Sequence, residues 1–101
     1  MIVFTDRVEV PAHVMVRFLD NESVFLNLDT ERYFGLDQTG TRMWQVITSS
    51  SSIEAAFQQL LSEFEVEPDT LRNDLLSLLE KLVENNLLQM VQSSVGTPST
   101  I

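Results

Sequence analysis

The 101-residue sequence contains no cysteine. That removes disulfides, thiolate metal sites and cysteine nucleophiles, and it is compatible with a reducing cytoplasm. Histidine occurs once, at His13. A lone His with neither Cys nor a second His completes no zinc site and no Ser-His-Asp triad. Beside Pro11 at a strand start, His13 reads as a surface or structural residue. Cations are also scarce: six Lys and Arg face fifteen Asp and Glu, for a formal charge of −9. Such a chain is repelled by a duplex or an anionic membrane unless its cations gather on one face. Arg7, Arg17, Arg32, Arg42, Arg72 and Lys81 are instead spread through the sequence, which disfavours nucleic acid as a partner. Gly35 and Gly40 are too few and too far apart for a phosphate loop. The serines of 49–52 lie in no Gly-x-Ser-x-Gly elbow. No apolar run approaches the roughly 20 residues of a membrane span, and the N-terminus lacks the charged and apolar regions of a signal peptide. These absences predict no catalytic residue, no metal site and no cofactor, in a cytoplasmic protein that spans no membrane.

What is present is one domain's worth of chain, 44% hydrophobic, enough to bury a modest two-layer core. Pro11 breaks the first twelve residues, where Val8 and Val10 could start a strand. From His13 to Leu19 the side chains alternate, with Val14, Val16 and Phe18 on one face and Met15, Arg17 and Leu19 on the other. Asp20-Asn21-Glu22 turns the chain into a partner strand, 23–28. Asp29-Thr30-Glu31 turns it again into a third strand, Arg32 to Leu36. The first half is thus a three-stranded antiparallel meander. Asp37 then stands where an N-cap is needed, and Met43, Val46 and Ile47 mark a helix over 38–47, with Trp44 beside them. Ser51 with Glu54 fits a capping box for a second helix over 53–64, which carries Ile53, Ala56, Phe57, Leu60, Leu61 and Phe64 on one face. Pro68 suits the first turn of a third helix, predicted over 69–85 and ending at Asn85-Asn86. Residues 87–91 return as a short strand. Residues 1–91 therefore form one domain, and the Ser-, Gly-, Thr- and Pro-rich residues 92–101 are expected to be a flexible tail. The fold class is α+β and winged-helix-turn-helix-like, with the three-stranded antiparallel sheet at the N-terminus and three helices after it.

Two features exceed what a small core demands. If the meander runs in order, the third strand is an edge with a row of unpaired backbone groups. The third helix is also too apolar. Leu71, Leu75, Leu78 and Leu82 form a stripe with Leu79 at its edge, and Leu76 and Val83 widen the arc to roughly 160°, against about 100° for a one-sided helix. If that helix lies beside the edge strand, Leu76, Val83 and part of Leu79 wall a groove suited to an extended peptide. Alternatively, the N-terminal segment or a dimer contact covers Leu76 and Val83. Tyr33, Phe34 and Trp44 admit a base-stacking reading, but Phe34 and Trp44 suit the core better in so acidic a chain.

The stretch 27–44, Asn-Leu-Asp-Thr-Glu-Arg-Tyr-Phe-Gly-Leu-Asp-Gln-Thr-Gly-Thr-Arg-Met-Trp, resembles the signature of PqqD-like proteins. These are the recognition elements of ribosomally made, post-translationally modified peptides. The later runs 53–57, 64–69, 74–80 and 86–88 are similar to the family's remaining helices, so the resemblance covers about 13–90. Asn86 stands where many relatives have Gly, a change that a left-handed position also accepts. The Tyr-Phe-Gly-Leu-Asp and Arg-Met-Trp variants look most like the stand-alone members of lasso-peptide systems. The resemblance implies a non-enzymatic, chaperone-like protein that binds the leader of a precursor peptide. It also implies a separate cysteine-protease-type leader peptidase as the second partner. Carried onto this sequence, the leader adds to Arg32, Tyr33, Phe34, Gly35 and Leu36. The helix wall is Arg72, Leu75, Leu76, Leu79 and Val83, with Glu80 at the rim. The rival readings are a winged-helix nucleic-acid binder, which the charge opposes, and a homodimerisation module with no peptide ligand.

Overall fold

A computed structural model describes residues 2–91; the tail expected over 92–101 lies outside the described residues. The elements, in chain order, are β1 (Arg7–Glu9), β2 (Val14–Leu19), β3 (Glu22–Asn27), β4 (Arg32–Leu36), α1 (Gln38–Ser49), α2 (Ile53–Glu63), α3 (Pro68–Glu84) and β5 (Gln89–Val91). Strands β2, β3 and β4 form the expected antiparallel meander in that spatial order. The start at Val8 becomes β1, which pairs with β5 in a separate two-stranded ribbon, Val8 opposite Met90. The two ends of the fold are thereby tied together.

The meander's register follows from its turns. Asp20-Asn21 is a two-residue loop between paired Leu19 and Glu22, and Asp20 takes a left-handed φ of 58°. The loop before β4 is held by Asn27, whose Oδ1 accepts from the N–H groups of Asp29 (2.9 Å) and Thr30 (3.2 Å). Glu31 closes it with a φ of 61°. The faces of β3 run against simple hydropathy. Ser23, Phe25 and Asn27 point inward and are buried, whereas Val24 and Leu26 point outward. Ser23 is satisfied by a 2.7 Å hydrogen bond to the Thr41 hydroxyl of α1.

The first two helices start on side-chain caps. Asp37 Oδ1 accepts from Gly40 N–H at 2.9 Å. For α2 the N-cap is Ser52, not Ser51. Its Oγ accepts from Ala55 N–H, and Glu54 accepts from Gln58 instead of closing a capping box. The next two free N–H groups, of Ile53 and Glu54, are taken by the carbonyls of Asp6 and Phe4, so the N-terminal segment is laid across the start of α2. Pro68 opens α3. Asn86, at φ 58°, turns the chain out of α3 in the left-handed conformation that Asn tolerates. Arg42 of α1 and Glu63 of α2 join in a bidentate ion pair of 2.8 and 2.7 Å.

The core lies between the helices and the inner face of the sheet: Phe25, Val46, Ile47, Ile53, Leu60, Leu71, Leu75, Leu79 and Leu82 are almost fully buried. Trp44 packs edge-on to Phe25 at 5.2 Å and is buried, its indole N–H without an acceptor among the described residues. It serves as hydrocarbon surface, as a core assignment requires. On α3 the buried stripe is Leu71, Leu75, Leu79 and Leu82. Leu79 therefore belongs to the buried stripe and Leu78 is displaced to a half-buried flank, the reverse of the expected arrangement. Both leucines fall inside the wide apolar arc, and only the neighbours packed on each side decide its centre.

Candidate functional site

Among the described residues β4 pairs with β3 and with no other strand, so its far side is an open edge. Which of its backbone groups are open follows from the antiparallel alternation. The two-residue loop makes Leu19 and Glu22 a hydrogen-bonded pair, and the bond from Leu28 N–H to His13 C=O continues that phase. Residues 22, 24 and 26 thus bond toward β2, and Ser23, Phe25 and Asn27 bond toward Leu36, Phe34 and Arg32 of β4. The N–H and C=O groups of Tyr33 and Gly35 consequently point away from the sheet.

Beside this edge runs a cleft of about 510 Å³. Phe34, Gly35 and Leu36 form one wall, and Asp74, Ser77, Leu78 and Lys81 of α3 form the other, with Asp37, Gly40 and Met43 at the head of α1 closing one end. At the opposite end Phe34 is shared with a hollow of about 280 Å³ between Arg32, Tyr33 and the Glu84–Leu87 segment. The groove therefore follows β4 from end to end. Its floor is apolar, from Phe34, Leu36, Met43 and Leu78. Its rim carries Asp37 and Asp74 at one end, Lys81 midway, and Arg32 with Glu84 at the other.

Two side chains fix α3 against the sheet and so set the groove. His13 Nε2 lies 2.9 Å from the Asn86 carbonyl, and Asn27 Nδ2 donates to the Asn85 carbonyl at 3.4 Å. His13 is thus structural, as expected of a single histidine. Gly40 has a local reason to be glycine: an added Cβ would meet Leu36 Cδ2 at 3.2 Å and Asp37 Oδ1 at 3.4 Å. A side chain making those contacts would press α1 away from β4.

The sequence-derived site divides in two. Arg32, Tyr33, Phe34, Gly35 and Leu36 all line the groove or its extension. The helix residues do not join them. Leu75 and Leu79 have no exposure and belong to the core. Arg72 lies on the other flank of α3, its guanidinium 4.6 Å from the ring centres of both Phe4 and Phe57. Glu80 and Val83 border a hollow with Ile2, and Leu76, one turn from both Arg72 and Glu80, shares that flank. The N-terminal segment lies beside this flank at Arg72 and Val83, and the helix residues that line the groove with β4 are Asp74, Ser77, Leu78 and Lys81. The helical wheel yields two flanks for one stripe, and nothing in the wheel says which flank meets β4. The clamps from His13 and Asn27 also went unread, although a polar residue at the inward phase of β3 was a visible signal for Asn27.

The hollow of about 270 Å³ at the far side of α1, between Asp20, Asn21 and Arg42, has no strand edge. Among the described residues no group of three His, Cys, Asp or Glu side chains is placed to hold a metal ion, and no helix is long and apolar enough to cross a membrane.

With this geometry in hand, the comparisons are specific. No curated protein matches the sequence. Among solved structures, one described as "TbiB1 in Complex with the TbiA(beta) Leader Peptide" superposes with a TM-score of 0.74 at 28% identity. It covers 90% of this chain and 99% of that one. Another, "Lasso peptide synthetase B1 complexed with the leader peptide", also has a TM-score of 0.74, at 25% identity, covering 82% of this chain and 98% of that one. The family model of the coenzyme PQQ synthesis protein D, PqqD, matches residues 22–88. That span takes in the meander from β3 onward, all three helices and the whole groove, and the chain belongs to the PqqD family.

Proposed function

We propose that this protein binds the leader segment of a ribosomal precursor peptide as a fourth strand of its sheet, antiparallel to β4 and bedded against Leu78 of α3. The observation that carries this reading is the open edge at Tyr33 and Gly35, whose free backbone groups face a groove long enough to follow the whole strand. Backbone pairing supplies affinity that tolerates varied leaders. Alternate side chains dropping toward Phe34, Leu36, Met43 and Leu78 supply selectivity. The two solved structures that carry leader peptides support a leader as the ligand. In this reading the chain performs no chemistry. It holds the leader for a separate cysteine-protease-type peptidase in a lasso-like pathway in the cytoplasm.

The test is fluorescence anisotropy of a labelled leader from the precursor encoded beside this protein. Submicromolar binding that changes little with salt is expected, because the floor is apolar and the rim charges alternate in sign. Absence of binding to that leader would contradict the proposal. Affinity for duplex DNA that falls steeply with salt would favour a nucleic-acid role instead.

A further inference from the structure

The two described glycines differ in a way that bears on the ligand. Gly40 has a reason within the protein itself, because a Cβ there would sit 3.2 Å from Leu36 Cδ2, closer than an ordinary contact. Gly35 has none. It has no left-handed φ, and the nearest atom to an added Cβ is the Ser23 carbonyl oxygen at 3.9 Å, an ordinary contact. Glycine weakens a strand interior, so neither backbone conformation nor internal packing accounts for it here. A strand glycine with room for a side chain, and no bulge or bend to explain it, fits the close approach of something from outside.

The register says from which side. Gly35 is opposite Val24 and shares the outward face of the sheet with Met15, Leu19, Leu26 and Tyr33. Met15, Arg17, Leu19, Val24, Leu26 and Tyr33 line an open hollow of about 330 Å³ on that face. Met15, Leu19 and Tyr33 remain 49%, 54% and 73% exposed there. Gly35 is also one of the two β4 residues whose N–H and C=O are open, so a strand added to β4 places one residue in a hydrogen-bonded pair with it. In an antiparallel pair the two side chains lie on the same face. That ligand residue must therefore project onto the outward face, where Gly35 has no side chain to hold it off.

We infer that Gly35 is a specificity position. It admits a large apolar side chain of the bound peptide, which lies across the glycine onto Val24 beside Tyr33. The ligand is thus a peptide read on both faces, with apolar residues toward the groove and one bulky apolar residue outward. This inference rests on strand addition to β4 as proposed above.

The experiment is a mutant cycle with the labelled leader and its single-alanine variants, measured against wild type, Gly35→Ala and Gly35→Val. The space at Gly35 predicts that both protein variants fold with a Tm equal to or above wild type. Gly35→Val should weaken the leader by about tenfold or more, and Gly35→Ala by less. One bulky leader residue should lose affinity on truncation in wild type, and lose none further in Gly35→Val, a non-additive pair. Gly35→Val binding within about twofold of wild type would overturn the inference alone, leaving leader binding intact. So would a cycle that is additive at every leader position. A wild-type protein that binds no leader would overturn this inference and the function together.

Discussion

The two flanks of α3 have nearly the same composition and opposite employment. On one, which carries Arg72, Leu76, Glu80 and Val83, Arg72 lies against Phe4 and Phe57, and Glu80 and Val83 border a hollow with Ile2. On the other, Asp74, Ser77, Leu78 and Lys81 face β4 across an open groove. Each flank sets one or two apolar residues among charged ones, and both continue the same buried stripe. The first is partly covered by the protein's own chain and the second is not. An apolar arc wider than the core needs therefore marks a contact without naming its occupant. What distinguishes the flanks is the neighbour: a covering segment on one side and an open strand edge on the other.

Substitutions along the helix test this division. The largest effect is expected between the flanks, at Leu79, which is fully buried. Leu79→Ala should cost about 2–5 kcal/mol in denaturant unfolding and reduce binding only through loss of folded protein. A cost under about 1 kcal/mol would show that the stripe is centred elsewhere. The next effect separates the flanks themselves. Leu78→Ser should weaken the leader by about tenfold while the protein stays folded, and Leu76→Ser should leave affinity within about twofold. The reverse ranking would restore the side chosen from the wheel. A smaller change is expected from Arg72→Ala, which removes the cation between Phe4 and Phe57. It should lower stability by roughly 0.5–1 kcal/mol and leave leader affinity unaltered.

The smallest effect lies away from both flanks. The hydrogen bond from Arg42, joined by one from Gln59, lowers the Glu63 pKa from the ordinary 4.5 to about 2. A carboxylate with a depressed folded-state pKa adds stability that is present above pH 4.5 and is lost as pH falls toward 2. Glu63→Gln should therefore flatten the acid side of the Tm profile between those values and leave leader binding at neutral pH unchanged. An identical acid limb in the variant would show that the surface pair contributes nothing, as solvent-screened pairs often do.

Much of the fold was legible because its signals are local. The polar turns at 20–22 and 29–31, the cap at Asp37, Pro68 at the start of α3 and Asn86 after it each act within a few residues. They delimited the meander and the three helices to within a residue or two at most ends. The groove's strand wall was legible for the same reason, since an in-order meander leaves its third strand at an edge. The helix wall was not. Whether Leu78 or Leu79 is central, and whether Leu76 or Leu78 meets β4, depends on where residues 2–6 lie, and no local pattern encodes that. The β1–β5 pairing is likewise a contact between distant segments. The inward phase of β3 defeats hydropathy because Ser23 and Asn27 are buried by partners on α1 and at the end of α3. The contrast between Gly35 and Gly40 needed coordinates, since in sequence both are simply glycine.

The central claim is that a leader pairs with the open edge of β4, and residue-resolved amide hydrogen exchange reads that edge directly. On saturation with the leader, the Tyr33 and Gly35 amides should slow markedly. Phe34 and Leu36, already bonded to β3, should change little. Val16 and Phe18, whose amides face the opposite edge of the same sheet, should serve as unaffected controls. Saturating binding with no added protection at Tyr33 and Gly35 would contradict strand addition and return the groove to an unassigned surface.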